Sequence, residues 1–211
     1  MRLKCLLAGL SGLPICVLAA APPQPTCVAD VGALPQWAFA ADKPGKDGRE
    51  LNGKPLKFAS DASCLNLGDG KQTGALLVRL GNASKTGNVK VTVYTVKEQT
   101  LPAKVDVLDV GFKPLKSYSF DRFTQRGMNY SHTVFADPAG NAAFILISPD
   151  VDWLGRTHQT TSGERWWTYV PGLVGGFANG NETQHTASFA SGGELKIELE
   201  EDSRSTEKPR R

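Results

Sequence analysis

The stretch NVKVTVYTVK, residues 88–97, decides the fold class. Val89, Val91 and Val93 alternate with Lys90, Thr92 and Tyr94. A period of two with β-branched residues on one side describes a strand with one buried and one wet face. GALLVRL (74–80) precedes it, and KVDVLDV (104–110), SYSF (117–120), HTVFA (132–136), AAFILIS (142–148) and TASFA (186–190) follow. The closing ELKIELE (194–200) alternates again, with Leu195, Ile197 and Leu199 against Glu194, Lys196, Glu198 and Glu200. The 22 glycines and 13 prolines interrupt every window that would make an amphipathic helix. Short strands between Gly, Pro, Asn and Asp clusters predict an all-β fold, an antiparallel β-sandwich with jelly-roll-like connections. The least strand-like part of the body is 149–183, expected as one long loop region on the sandwich, where binding tends to reside.

The chain opens MRLKCLLAGLSGLPICVLAAAPPQ, with Arg2 and Lys4 ahead of an apolar run that ends at small residues. This reads as a signal peptide over 1–21, followed by one domain over 22–200 and a charged, disordered tail over 201–211. The apolar run is short and broken by Gly9, Gly12 and Pro14, so no transmembrane anchor is expected. Cys5 and Cys16 leave with the leader, and the remaining Cys27 and Cys64 are expected to pair in an oxidising compartment. The formal charge of +3 falls to about +1 once Arg2 and Lys4 are gone, with no basic stripe, so nucleic acid is not an expected partner.

No catalytic constellation is legible. The chain has no Gly-x-Ser-x-Gly elbow, and His132, His158 and His185 are isolated in sequence. No metal-ligand spacing appears, so neither metal nor cofactor is expected; Asp150 and Asp152 in SPDVDW read as a solvated loop. Glu164 and Glu182, with those two aspartates, carry no mark of a glycosidase acid and its partner. Asn82, Asn129 and Asn181 head Asn-x-Ser/Thr triplets, which matter only in a eukaryotic secretory pathway.

What stands out is GERWWTYVPG, residues 163–172. In an extended segment Trp166 and Trp167 point to opposite faces, so one sheet surface does not bury both. An indole beside polar groups suits the apolar face of a pyranose ring, and Arg165, Trp166, Trp167, Tyr169 and Asn179 are the candidate ligand-binding set, with Gln159, Glu164 and Asn181 as further hydrogen-bonding groups. The competing reading packs these aromatics against GLVGGF or the end of the sandwich. Trp37 and Trp153 read as packing residues.

Four pieces, LPQW (34–37), KVDVLDVGFKPL (104–115), VFADPAGNAAFILIS (134–148) and QHTASFASGGELKIELE (184–200), occur in an order that resembles the maltose operon periplasmic protein family. The resemblance spans roughly Leu34 to Glu200. It implies a periplasmic protein of Gram-negative bacteria associated with carbohydrate uptake, without catalytic residues or cofactor. It also suggests that Asp109 steadies a turn. The chain lacks the extended C-terminal region of longer members, and Trp166 and Trp167 lie outside the family pattern, so a sugar site there is read from the residues alone. The expected function is therefore exported and non-enzymatic, with an oligosaccharide ligand; a cell-envelope module that binds a protein partner is the alternative.

Overall fold

The computed structural model describes residues 26–40, 42, 48–67, 70–81, 87–134, 141–163, 165–169, 176–180 and 182–201; for 87, 161–162, 165–169, 176–179 and 201 it describes the backbone alone. The segment read as a signal peptide and the expected tail beyond 201 lie outside the described residues.

Among the described residues seventeen strands run in chain order. They are β1 (Gln36–Phe39), β2 (Arg49–Leu51), β3 (Leu56–Lys57), β4 (Ser63–Asn66), β5 (Gln72–Arg79), β6 (Gly87–Tyr94), β7 (Gln99–Thr100), β8 (Ala103–Leu108) and β9 (Pro114–Tyr118). Then come β10 (Thr124–Arg126), β11 (Asn129–Val134), β12 (Phe144–Pro149), β13 (Thr157–Ser162), β14 (Arg165–Tyr169), β15 (Gly176–Gly180), β16 (Thr183–Phe189) and β17 (Glu194–Glu201). One helical turn, Phe58–Asp61, and two 3-10 turns, Val31–Ala33 and Phe120–Arg122, complete the elements among the described residues. No helix among the described residues is long and apolar enough to cross a membrane.

The fold is an all-β sandwich. One sheet has the order β2-β1-β5-β12-β8-β9, with β4 also paired to β5; the facing sheet has the order β10-β11-β6-β17-β3. Val89, Val91 and Val93 of β6 and Leu195 and Ile197 of β17 face Leu76, Val78, Val105, Val107, Ile145 and Ile147 of the first sheet in one core. Burying a side chain of this size contributes roughly 1.5–3 kcal/mol. The alternation that identified β6 is thus the inner face of the second sheet. Its strand ends at a tight reversal, in which Lys97 and Glu98 carry φ of 50° and 60° and Val96 and Gln99 exchange both backbone hydrogen bonds.

The apolar run over 142–148 has a different cause. Ile145 and Ile147 enter the main core, whereas Phe144 and Leu146 enter a second apolar layer with Ala75, Leu77, Leu65, Leu108 and Leu34. β5 and β12 are therefore buried on both faces and show continuous apolar sequence in place of alternation. The second layer is roofed by Val28, Val31 and Leu34 of the N-terminal segment and by Phe112. Phe112 sits at φ 60° and stacks on Phe144 at 4.8 Å between centroids. Gly32 makes this fit, since a Cβ there would lie 2.8 Å from Phe112 Cε2.

Cys27 and Cys64 form a disulfide, as expected, tying that segment to β4 across a separation of 37 residues. A loop of this length corresponds to roughly 2–4 kcal/mol in the chain-entropy account. Asp109 steadies its turn: one carboxylate oxygen accepts the N–H groups of Gly111 and Lys113, each at 2.8 Å.

Two features differ from the sequence reading. The sheet that holds LPQW is not antiparallel throughout: β1 lies within it, parallel to both β2 and β5, so pairing is mixed where a jelly roll would be antiparallel. Trp37 is buried there, with the Arg49 guanidinium 5.4 Å from its ring. The segment 149–183 is also not mainly loop, because it contains β13, β14 and β15.

Candidate functional site

The candidate site is built on one long β-hairpin. β13 pairs antiparallel with β16, from Thr157↔Ser188 to Ser162↔Thr183, and β14 pairs antiparallel with β15, from Arg165↔Gly180 to Tyr169↔Gly176. The two residue numbers of every pair sum to the same value, so the register does not slip where Gly163, at φ 129°, interrupts the first strand. On the first arm β13 covers six residues and β14 five, about 20 Å and about 16 Å at about 3.3 Å per residue.

The base of this hairpin is anchored. β16 pairs parallel with β7 through Ser188↔Gln99 and Phe189↔Thr100. Thr160, Ala187 and Phe189 are buried. Gln125 Nε2 donates to the Gln159 carbonyl at 2.8 Å, and Gln159 Nε2 donates to Thr186 Oγ1 at 3.0 Å.

All five predicted ligand-binding residues, Arg165, Trp166, Trp167, Tyr169 and Asn179, fall in the outer half, β14 and β15. Their side chains lie outside the described residues, as do Glu164 and Asn181 altogether. Register still assigns faces. Residues two apart share a face, so Arg165, Trp167 and Tyr169 fall on one, directly across from Gly180, Ala178 and Gly176; Trp166 and Thr168 fall on the other, across from Asn179 and Phe177.

At the base lies a buried polar network that sequence order conceals. Tyr130 Oη is 2.8 Å from His158 Nδ1, His158 Nε2 is 3.0 Å from Thr100 Oγ1, and Thr100 Oγ1 is 2.6 Å from Thr95 Oγ1. The His158 ring also stacks on Phe189, 4.2 Å between centroids. A neutral imidazole offers one donor and one acceptor, and the two hydroxyls supply the complementary roles. With both ring nitrogens engaged and Thr100 fully buried, this arrangement is that of a joint between strands; it presents no accessible nucleophile.

Burial lowers the His158 pKa below the usual histidine value. His132 is lowered too, first by burial and then by the positive Lys116 and Arg122, against the hydrogen bond to the Arg122 carbonyl. For both, the unfolded chain binds a proton near pH 6.5 that the native state resists. Their contribution to stability is therefore present above about pH 6.5 and is lost as pH falls toward the lowered native values. The urea midpoint is expected to decline from pH 7 to pH 5, with a shallower decline in His158→Gln. Equal slopes in the two proteins would show that His158 is not linked to folding.

Asp150, read from sequence as part of a solvated loop, is buried at 6% exposure. Its Oδ2 accepts the Phe120 N–H at 2.9 Å, and its Oδ1 accepts the Asp152 N–H at 3.3 Å. Trp153 packs partly buried on the core, edge-on to Phe120 and Phe189, with Arg156 over its ring. Among the described residues no three His, Cys, Asp or Glu side chains are grouped to hold a metal ion. Sequence reasoning also missed an open apolar cleft of about 460 Å³ beside Cys64, whose flanks include Leu67 and Val151; two exposed aliphatic residues in separate turns were its only trace. Set against known proteins, the chain matches no protein-family model, no curated protein and no solved structure.

Proposed function

We propose that this is an exported, non-enzymatic periplasmic protein of carbohydrate uptake, related to the maltose operon periplasmic proteins, that binds an oligosaccharide with the outer half of its hairpin. The observation that carries the reading is the β14–β15 register, which sets Arg165, Trp167 and Tyr169 on one face across from Gly180, Ala178 and Gly176. Residues this small raise no wall opposite the aromatics. A pyranose stacked through its C–H face on such a strip gains apolar contact, with Arg165 to hydrogen-bond its hydroxyls. Two further observations support export and binding. The Cys27–Cys64 disulfide suits an oxidising compartment, and His158, at the base of the same hairpin, is tied into structure.

The test is tryptophan fluorescence of the mature chain titrated with maltose and longer maltodextrins. Saturable quenching is expected, with a dissociation constant at or below ~10 mM, about −3 kcal/mol or stronger. Trp167→Ala is expected to weaken it tenfold or more, whereas Trp166→Ala, on the opposite face, should bind nearly as the parent does. No quenching up to ~10 mM would overturn the sugar reading and direct attention to a protein partner in the cell envelope.

A further inference from the structure

We infer that the Cys27–Cys64 disulfide is an exchange site, opened at Cys64 by a partner that carries a thiol beside apolar residues, and that its opening releases the N-terminal segment as a strap. The cleft supplies the approach. β12 and β5 pair only from Phe144↔Arg79 to Ile147↔Leu76, so the two strands part beyond that point. Pro149, with no N–H to offer a ladder, stands at the parting. The cleft of about 460 Å³ that lies there is lined by Cys64, Leu67, Lys71, Pro149, Val151 and Leu154. Leu67 and Val151 are 57% and 67% exposed, unusual for aliphatic residues on either side of one opening. A peptide that fills the cleft brings its thiol to Cys64, which is half-buried. Lys71 adds a positive charge that favours the incoming thiolate.

The exchange balances without an external oxidant. The partner's thiolate attacks Cys64 Sγ, the bond between Cys27 and Cys64 breaks, and Cys27 leaves as a thiolate that takes up a proton. A second thiol of the partner then attacks the mixed disulfide. Cys64 is released as a thiol, the partner becomes a disulfide, and two electrons have passed to this chain.

Opening has a structural consequence. The strap of residues 26–34 roofs the second apolar layer through Val28, Val31 and Leu34. Once the disulfide is gone it is held to the sheet by those contacts, by the Val28 N–H donated to the Cys64 carbonyl at 3.0 Å and by the Asn66 N–H donated to the Val28 carbonyl at 2.8 Å. Both hydrogen bonds flank the cysteine that the partner occupies. Lifting the strap uncovers Leu65, Leu77, Leu108, Phe144 and Leu146, an apolar face of the kind that recruits a partner.

The test uses the mature chain and two synthetic monothiol peptides, one with its cysteine flanked by leucines and one with it flanked by serines. Acid quenching and peptide mapping locate the adduct, and an environment-sensitive dye follows exposed apolar surface. The expected result is an adduct at Cys64 over Cys27 by tenfold or more, a leucine peptide about tenfold faster than the serine peptide, and a dye signal that rises with adduct formation. Val151→Ser, and independently Leu67→Ser, are expected to bring the leucine-peptide rate down toward that of the serine peptide. An adduct chiefly at Cys27, equal rates for the two peptides, or no dye response would each overturn the proposal. Failure of sugar binding would not touch it, because the hairpin and the cleft share no residue.

Discussion

Phe120→Ala is expected to destabilise the protein by about 3–5 kcal/mol, the range for removing a large aromatic from a rigid core. Phe120 is 2% exposed and opens the 3-10 turn that follows β9. Its ring lies 5.0 Å from Tyr130 of β11, 5.0 Å from Phe189 of β16, 5.3 Å from Phe123 and 5.5 Å from Trp153, centroid to centroid. Two of these pairs are edge-to-face, at 73° and 74°, an arrangement that adds to the burial itself. The ring therefore joins the first sheet's last strand, the second sheet and the base of the hairpin. Alanine leaves a void walled by four rings that are themselves pinned, so collapse is limited and the upper part of the range applies. Urea unfolding should show a lowered midpoint with an unchanged slope, and thermal unfolding a fall of roughly 10 °C. A loss below ~1.5 kcal/mol would mean that the ring cluster is not the joint. Phe120→Leu, which refills most of the volume, should recover more than half of the loss.

The same residues show how far a sequence carries this fold. β6 and β17 were legible because one face of each is wet, and wet faces write alternation into the chain. β12 was legible as a strand but not as to its burial, since only packing reveals that Phe144 and Ile145 enter different layers. Of the hairpin over 157–189 only TASFA, the end of β16, was legible as a strand, and the rest escaped for a physical reason. Its strands are rich in Thr, Gln, Ser and Gly, and their identity comes from a partner strand seven to 31 residues away rather than from hydrophobic period. Pairing register, equally absent from local pattern, is what sorts Trp166 from Trp167. Isolated histidines look inert in sequence, yet His158 meets Tyr130 and Thr100 across separations of 28 and 58 residues. The two cysteines were legible because reading residues 1–21 as a leader left a single pairing.

Asp150→Ala is expected to cost about 2–4 kcal/mol, although sequence alone assigns this carboxylate to water. A buried acceptor that serves a backbone N–H leaves that donor unsatisfied when it is removed, and hydrogen bonds to charged groups are the stronger ones. Asp150 Oδ2 takes the Phe120 N–H at 2.9 Å, its own N–H donates to the Pro102 carbonyl at 2.6 Å, and its carbonyl accepts the Trp153 N–H at 3.1 Å. The side chain thus fixes the turn after β12 to the 3-10 turn after β9, the same junction that Phe120 fills. Asp150→Asn keeps one carbonyl oxygen for the Phe120 N–H and sets its amide against the longer 3.3 Å contact to Asp152, so a loss of about 1 kcal/mol is expected. Because Asp150 and Phe120 hold one turn, the double variant Asp150→Ala/Phe120→Ala should lose less than the two single losses combined, by ~0.5–3 kcal/mol. Strict additivity in urea unfolding would show that the carboxylate and the ring act independently, and that the turn keeps its place when either is gone.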